Sequence, residues 1–332
     1  MSGVRLAPWR RHEFALLGLL ALTFVVMSLL SRDFLTVRNM VSMPRFFVEP
    51  GLIALAMTFV ILTGGIDLSV GSIMALSAVV LGLVWGGRDW SAAPGLGVGL
   101  AVGAALLTGA GAGLLNGVLI TRLGIPPLMV TLATMAAYRG IAVGLSHAEP
   151  VSDFPPGLLA LGNSYVRVSQ GVEVPSQLFV FAALAVVAGV LLWRTTLGRH
   201  VYAVGHNETA ARYAGINAGA VKLGIYTASG LIAALAAVIA VARVATAKAD
   251  AGTGMELLVI TACVFGGIDI YGGRGTILGA VLGVLIINAV GNGLHLADVG
   301  SEMRMVVTGI LLIVAVILGQ LGRRGRGADS AE

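Results

Sequence analysis

The sequence predicts an all-α, polytopic membrane protein with about ten transmembrane helices in two related halves. Of its 332 residues, 57% are hydrophobic and 11% are charged, with a mean hydropathy of +0.95; soluble domains carry roughly 25% charged residues. Uncharged apolar runs near the ~20-residue length of a transmembrane helix recur along the chain. The motif Gly-Gly-Ile-Asp occurs twice, at residues 64–67 and 266–269, each time before an apolar run. This recurrence indicates a duplicated structural device.

Ten apolar runs define the predicted membrane domain, residues 14–320, between terminal tails at 1–13 and 321–332. The first run is longer than the 7–15 apolar residues of a secretory signal, so we interpret it as a retained helix. The runs lie at approximately residues 14–31, 46–63, 69–86, 93–120, 126–145, 176–193, 223–244, 255–270, 275–293 and 304–320.

Charge distribution predicts that both termini lie in the cytoplasm. An even number of spans places the termini on one side, and arginine clusters at residues 10–11 and 323–326 favour the cytoplasmic side. Arginines within residues 32–45, in the first outer loop, oppose this bias. The formal net charge is +5, and the arginines lie mostly at the ends of apolar runs. That position suits contact with lipid headgroups, so we predict no nucleic-acid partner.

Two loops are long enough to carry structure. Residues 146–176 are rich in proline, which favours extended or turn backbone, and we expect them to face outward. Residues 194–222 are expected in the cytoplasm. Within them the sequence predicts a short helix, because Asn207 can cap it, Glu208 suits its positive N-terminal end and Gly215 suits a left-handed stop.

The two Gly-Gly-Ile-Asp motifs allow two interpretations. An ionised side chain inside a bilayer costs ~2.5 kcal/mol or more, so an aspartate there needs a reason. In the structural interpretation, each glycine pair ends one helix and each aspartate caps the next. In the functional interpretation, each motif is a hinge whose freed backbone lines a transport path. The residues concerned are Gly64, Gly65, Asp67, Gly266, Gly267 and Asp269.

Span counting predicts that both motifs lie on the same side of the membrane. The first motif follows the second apolar run and the second motif follows the eighth, an even separation. On the orientation above, that side is the cytoplasmic one.

Glycines repeat at i, i+4 steps along the fourth apolar run. Such spacing makes a smooth ridge on which another helix can approach closely, so we interpret these residues as packing glycines. The two sets are Gly95, Gly99 and Gly103, then Gly109, Gly113 and Gly117.

The sequence gives little support to an enzyme. It contains no Gly-Lys pair, so a phosphate-binding P-loop is absent and ATP is not expected to bind this chain in that way. The five histidines show no metal-ligand spacing, and Gly-x-Ser-x-Gly does not occur. Cys263 is the single cysteine and is expected in the core. We therefore predict no catalytic residues, no metal and no cofactor.

Several motifs together resemble the permease subunits of bacterial sugar ABC importers, the branch handling ribose, xylose, arabinose, galactose, rhamnose or autoinducer 2. They are Leu-Thr-Gly-Gly-Ile-Asp-Leu-Ser-Val-Gly at 62–71, Leu-Leu-Asn-Gly at 114–117 and Ile-Pro-Pro-Leu-Met-Val-Thr-Leu at 125–132. Later come Gly-Arg at 198–199, Ala-Val-Gly-His-Asn at 203–207, Ala-Ala at 210–211, Ala-Gly-Ile at 214–216, Gly-Thr-Gly-Met-Glu-Leu at 252–257 and Gly-Gly-Ile-Asp-Ile-Tyr-Gly-Gly-Arg-Gly at 266–275. The similarity runs from roughly residue 34 to 320.

The resemblance implies partners and a mechanism. Such permeases lie in the bacterial inner membrane, where they pair with a second permease chain. They dock ATP-binding subunits on the cytoplasmic face, and a periplasmic binding protein delivers the sugar to them. The segment 207–215 would be the coupling helix that sits in a groove of the ATPase, through Asn207, Glu208, Ala210, Ala211 and Gly215. Family members often have a small polar residue at the position of Asp269, which argues against a general transport role for that residue.

Polar residues inside the predicted spans are candidates for the wall of the sugar path, although hydrogen bonding between helices is the commoner use of such side chains. They are Asn116, Thr131, Thr134, Asn288 and Asn292. The alternatives left open are an ABC permease for a branched-chain amino acid or a nucleoside, and a secondary carrier coupled to protons through Asp67 or Asp269. The identity of the sugar and the choice between homodimer and heterodimer also stay open.

Overall fold

The structure is a computed structural model that describes residues 8–169 and 172–328. These residues form fourteen helices and one two-stranded antiparallel hairpin. Residues 1–7 and 329–332 of the predicted terminal tails lie outside the described residues. The elements are α1 (Pro8–Leu30), α2 (Val37–Ser42), α3 (Pro44–Leu62), α4 (Val70–Gly86), α5 (Pro94–Arg122), α6 (Pro127–Ser146), α7 (Pro156–Asn163), β1 (Tyr165–Ser169), β2 (Val172–Pro175), α8 (Ser176–Arg194), α9 (Thr196–His206), α10 (Glu208–Tyr213), α11 (Ala218–Val244), α12 (Met255–Phe265), α13 (Ile277–Leu296) and α14 (Ser301–Ala328).

The predicted all-α membrane fold is confirmed, although the count of ten transmembrane helices is not. Among the described residues, seven helical segments are long and apolar enough to span a membrane. They are Glu13–Leu30, Val37–Leu62, Pro94–Arg122, Pro127–Ser146, Ser176–Arg194, Ala218–Val244 and Ile277–Leu296. The apolar helices α4 and α12 are shorter, with 17 and 11 residues. At 1.5 Å per residue, α12 is roughly 16 Å long, about half the hydrocarbon thickness of a bilayer.

Several predicted boundaries differ from the structure. The eighth run was expected to reach residue 270, but α12 ends at Phe265 because the glycine pair that follows it turns the chain. The loop at residues 146–176 holds the helix α7 and the hairpin β1–β2, whereas its prolines predicted extended or turn backbone. Pro156 occupies the first position of α7, where its missing N–H costs nothing and its fixed φ favours a helix. The terminal helices α1 and α14 reach into the segments predicted as tails.

The two short helices begin beside one another inside the fold. Both follow a non-helical segment, residues 63–69 before α4 and 245–254 before α12. The first turn of α4 lies against the first turn of α12, because a Cβ added to Gly71 would overlap the Gly252 carbonyl and the Glu256 carboxylate. The N-terminus of α4 is buried, whereas that of α12 is half-buried.

Close backbone approach joins α5 to α11 at the centre of the molecule. A Cβ on Gly109 would overlap the Gly230 carbonyl, one on Gly113 would overlap the Tyr226 carbonyl, and one on Gly117 would lie 2.9 Å from the Leu223 side chain. The predicted packing role is thus confirmed for these three glycines. The other three, at residues 95, 99 and 103, have no atom within 4 Å of an added Cβ in the described chain.

At the opposite end of α11, α7 and a buried ion pair hold the helix terminus. Asn163 Nδ2 donates to the Ala242 carbonyl at 2.8 Å, and Arg243 Nε donates to Glu49 Oε1 at 2.7 Å. Glu49 is only 2% exposed, so its partner compensates a charge that would otherwise be costly to bury. The chain continues through a bridge between Val151 and Ala247. These contacts fix α11 relative to α3.

We expect Gly113→Ala to destabilise the chain, because the added methyl would overlap the backbone of α11 and such overpacking costs about 1–3 kcal/mol. Gly111→Ala is the matched control, since nothing lies within 4 Å of its added Cβ. Cys263, the single cysteine, is buried, so a thiol-reactive fluorogenic dye reports unfolding of the detergent-solubilised chain during a thermal ramp. Equal midpoints for the two variants would contradict the assigned α5–α11 contact.

Candidate functional site

The two Gly-Gly-Ile-Asp loops lie in direct contact. We call residues 63–69 the first loop and residues 266–276 the second loop. The Gly273 amide donates to the Leu62 carbonyl at 2.9 Å, so the second loop bonds to the end of α3. A Cβ on Gly272 would lie 2.8 Å from the Gly64 nitrogen, which shows how closely the two backbones approach.

Both glycine pairs end a helix, as the sequence predicted, but in registers that differ by one residue. At the first motif Gly64 has φ +77°, and the amides of Gly64 and Gly65 donate to carbonyls of the last turn of α3. At the second motif the left-handed residue is Gly267, with φ +84°. These bonds satisfy carbonyls that a helix end leaves unpaired. The two motifs are therefore similar stops that place their aspartates differently.

The prediction that the aspartates cap the next helices is wrong. The N-cap of α4 is Ser69, and the N-cap of α13 is Thr276, whose Oγ1 accepts from the Gly279 amide at 3.0 Å. Asp67 and Asp269 lie two and seven residues before these caps and instead accept from the backbone amide two residues on, at 3.0 and 3.1 Å. Each aspartate therefore shapes its loop rather than the helix that follows.

Asp67 is 0% exposed and belongs to a polar network that joins three helices to the first loop. One carboxylate oxygen accepts from Ser69 Oγ at 2.6 Å, and the other accepts from Ser229 Oγ of α11 at 3.1 Å. Asn116 Nδ2 of α5 donates to Ser69 Oγ at 2.8 Å, and Asn116 Oδ1 lies 3.1 Å from the Tyr138 hydroxyl of α6. Sequence reasoning missed Ser229 and Tyr138, because one polar residue in an apolar helix carries no local signal of its partner.

Asp269 occupies a different environment. It is half-buried, and its backbone amide donates to the Arg274 carbonyl at 2.9 Å, which closes the second loop on itself. The same four-residue motif thus supplies a buried interhelical acceptor at one site and a loop-closing residue at the other. The absence of a general transport role for Asp269 stays a prediction.

Of the five predicted wall residues, two reach the first loop and three do not. Asn116 belongs to the Asp67 network, and Thr131 Oγ1 lies 3.1 Å from the Ile66 carbonyl. Thr134 and Asn288 bond to carbonyls of their own helices, and Asn292 Oδ1 accepts from Asn39 of α2 at 2.9 Å. A role of any of the five in the sugar path stays a prediction.

The short helix expected at residues 207–215 is α10, and its capping follows the sequence. Asn207 Oδ1 accepts from the Ala210 amide at 2.9 Å, and Gly215 has φ +82° with its amide bonded to the Arg212 carbonyl at 3.0 Å. Ala211 is buried against α9 and the start of α11, whereas Ala210 faces out. Caps at both ends hold the helix without help from a long sequence.

Glu208 anchors α10 to α11 through two ion pairs. Its carboxylate accepts from Arg212 at 2.6 Å and from Lys222 of α11 at 2.5 Å. Partial burial alone would raise the pKa of Glu208, but the hydrogen bonds and charges of Lys222 and Arg212 outweigh it and hold the pKa below its ordinary value. Tyr213, at the end of α10, is 89% exposed and was not singled out from the sequence. The helix is thus fixed on one face and free on the other.

The last turn of α9 lies between α10 and the paired loops. A Cβ on Gly205 would overlap the Leu62 carbonyl and lie 2.6 Å from the Gly273 nitrogen. Tyr202 Oη donates to the Gly275 carbonyl at 2.7 Å. The described residues contain no group of three or more His, Cys, Asp or Glu side chains placed to hold a metal ion.

Comparison with known proteins identifies the family. Residues 40–316 match the family described as "Branched-chain amino acid transport system / permease component". The chain belongs to this permease family. It is 42% identical to the ribose import permease protein RbsC of Bacillus subtilis over 305 residues, covering 91% of this chain and 90% of that protein. This match confirms the resemblance inferred from the motifs.

Other relatives have similar coverage. The chain is 35% identical to the ribose import permease protein RbsC of Escherichia coli K12, over 93% of this chain and 94% of that protein. It is 33% identical to the autoinducer 2 import system permease protein LsrD of Photorhabdus laumondii, over 92% and 90% of the two chains. No solved structure matches the chain.

We expect Asp67→Ala to destabilise the chain more than Asp269→Ala. The first substitution leaves the buried hydroxyls of Ser69 and Ser229 without their acceptor, at about 1–3 kcal/mol for a buried unsatisfied group. The second substitution removes a half-buried acceptor. The hydrogen bond from the backbone amide of residue 269 to the Arg274 carbonyl still closes the second loop, so the loss should be smaller. The thermal ramp that monitors Cys263 compares the two directly. A larger loss for Asp269→Ala would contradict the network assigned to Asp67.

Proposed function

We propose that this chain is the transmembrane permease subunit of an ATP-binding-cassette importer for a simple sugar. Supporting this are its membership of the permease family and its similarity, over nine-tenths of its length, to permeases named for ribose and autoinducer 2 import. The chain is a transport subunit rather than an enzyme, and ATP is bound and hydrolysed on partner subunits. It needs no cofactor of its own.

The observation that carries the proposal is α10. This six-residue helix is capped by Asn207, stopped at Gly215 and held to α11 by Glu208, while Tyr213 projects almost fully exposed. A rigid, exposed element of this kind suits insertion into a groove on another protein. We assign that groove to the ABC ATPase, so that Asn207, Glu208, Ala210, Ala211 and Gly215 form the coupling residues.

The importer we propose contains further parts. A second permease chain, identical or different, completes the membrane unit, and a periplasmic binding protein delivers the sugar. The chain spans the bacterial inner membrane several times with both termini in the cytoplasm, on the same side as α10. Membrane lipid surrounds the remaining exposed apolar faces, and nucleic acid is no partner.

Transport then follows from movement of packed helices. Closure of the ATPases on ATP displaces α10, and the spans rock between outward and inward openings. The glycine contact between α5 and α11 suits such motion, because smooth backbone surfaces can slide while their intrahelical hydrogen bonds remain made. Selection of the sugar is left to the binding protein.

The alternatives gain no support from the geometry. The proton-coupled carrier would titrate through Asp67 or Asp269. Both oxygens of Asp67 accept hydrogen bonds and the residue is 0% exposed. Asp269 is half-buried and accepts from the Tyr271 amide within its own loop. The family description mentions branched-chain amino acids, while the relatives that cover nine-tenths of this chain are named for ribose and autoinducer 2. A sugar is therefore the substrate class we propose.

The test is ATP-driven uptake of radiolabelled ribose by the chain reconstituted with its ATPase and binding protein. We expect Glu208→Arg and Gly215→Pro each to lower uptake by about tenfold, within the usual range of coupling energies. In Glu208→Arg, a third cation lies beside Arg212 and Lys222 and repels both. In Gly215→Pro, the proline ring fixes φ at a negative value, so residue 215 cannot adopt the left-handed conformation that ends α10.

Glu302→Arg serves as the charge-matched control, because Glu302 is an exposed residue on the first turn of α14. All variants should reach the membrane in normal amounts. Ribose uptake by the chain without its ATPase, or normal uptake in both α10 variants, would contradict the proposal.

A further inference from the structure

The end of α9 contacts both the end of α3 and the second Gly-Gly-Ile-Asp loop, and we call this three-way contact the clasp. We define the clasp as Leu62, Gly205 and Gly273. The Gly273 amide donates to the Leu62 carbonyl at 2.9 Å, and the α-carbon of Gly205 packs on that hydrogen bond with no room for a side chain. On the next position of α9, the backbone of His206 lies 3.0 Å from where a Cβ on Gly273 would be. Three distant parts of the chain thus meet through backbone atoms alone.

A second contact holds the preceding turn of α9 against the second loop. Tyr202 is one turn before His206, and its hydroxyl donates to the Gly275 carbonyl at 2.7 Å. Gly275 immediately precedes Thr276, the N-cap of α13. The contact therefore connects α9 to the residue before the start of α13.

The connection between α9 and α10 is short and is fixed by hydrogen bonds. Asn207 is the single residue between the two helices. Its amide bonds to the Ala203 carbonyl of α9 at 3.1 Å, while its side chain caps α10. Ala211 of α10 also packs against Val204 of α9. A displacement of α10 therefore moves the last turn of α9 with it.

Beyond the clasp, each loop continues directly into a packed helix. The first loop passes through the Asp67 network and begins α4, and the second loop passes through Thr276 and begins α13. The clasp is the point where the end of α9 touches the second loop and Leu62, the last residue of α3 before the first loop. Backbone contacts deform less than side chains, since no rotamer can change to absorb the motion.

We propose that Gly205 is a positioning residue of the transport cycle: the clasp transmits displacement of α10 to both Gly-Gly-Ile-Asp loops, and through them to α4 and α13. This inference rests on the proposed permease function and adds a route by which the state of the ATPase reaches the membrane helices. A glycine is required at residue 205 because any Cβ would separate α9 from the Leu62–Gly273 hydrogen bond.

The test measures ribose transported per ATP hydrolysed, and stimulation of ATP hydrolysis by the binding protein, in proteoliposomes that contain the complete importer. Gly205→Ala is expected to keep the ATPase bound and its unstimulated hydrolysis running. Transport per ATP and stimulation should both fall about fivefold or more, the scale of a lost coupling energy. Gly224→Ala, exposed on α11 with nothing within 4 Å of its added Cβ, is the matched control and should behave as wild type.

Tyr202→Phe provides a second variant that adds no volume. It removes only the hydroxyl bound to Gly275, so we expect a loss in the same direction but smaller. If Gly205→Ala does not accumulate in the membrane, Tyr202→Phe decides alone, and wild-type transport per ATP in that variant overturns the inference. Release of the ATPase from either variant also overturns it, since the residue would then act in docking.

The outcome for the wild-type importer separates the two claims. Absence of ATP-dependent uptake by the wild type of ribose and of every other sugar named above would refute the proposed function, and the inference with it. Wild-type uptake together with unchanged coupling in both variants would refute the inference alone.

Discussion

The hydrogen bond from the Gly273 amide to the Leu62 carbonyl is the interaction on which the arrangement of the coupling region depends. Helix ends leave amides and carbonyls without intrahelical partners, and inside a membrane protein these groups must find partners within the protein. The carbonyl of Leu62 belongs to the last turn of α3, and the Gly273 amide belongs to a loop after α12. The amide of the loop after α12 thus pairs with a carbonyl that the end of α3 leaves free, so the two loops are held as one unit.

That unit can form only where side chains are absent. A Cβ on Gly205 or Gly272 would come too close to neighbouring backbone atoms, and Gly64 and Gly272 have φ of +77° and +89°, where L side chains are strained. The same principle operates between α5 and α11 at Gly113. Small residues therefore serve two purposes here: they allow helices to pack closely, and they allow three separate backbones to converge.

Sequence reasoning predicted what local chemistry determines. The short helix α10 was expected from Asn207 and Gly215, because caps act within a few residues. Gly205 was quoted only as part of a family motif, since its partners lie more than sixty residues away in both directions and nothing in α9 announces them. The run predicted to reach residue 270 counted Ile268 as helical, but that residue fills the core from a loop. Hydrophobicity predicts burial more reliably than it predicts where a helix ends.

The contact between the N-termini of α4 and α12 explains the position of a carboxylate inside the fold. Helix N-termini carry a partial positive charge, so α4 and α12, which start side by side, would repel one another. Glu256, on the first turn of α12, places its carboxylate against Gly71 on the first turn of α4 and offsets both ends. In carriers of anionic solutes, broken helices direct such N-termini at the substrate. Here the anion is supplied by the protein itself, and the buried Asp67 has both of its carboxylate oxygens hydrogen-bonded to serine hydroxyls. These two helix ends therefore face a carboxylate of the chain itself and are not the open anion sites that broken helices present in such carriers.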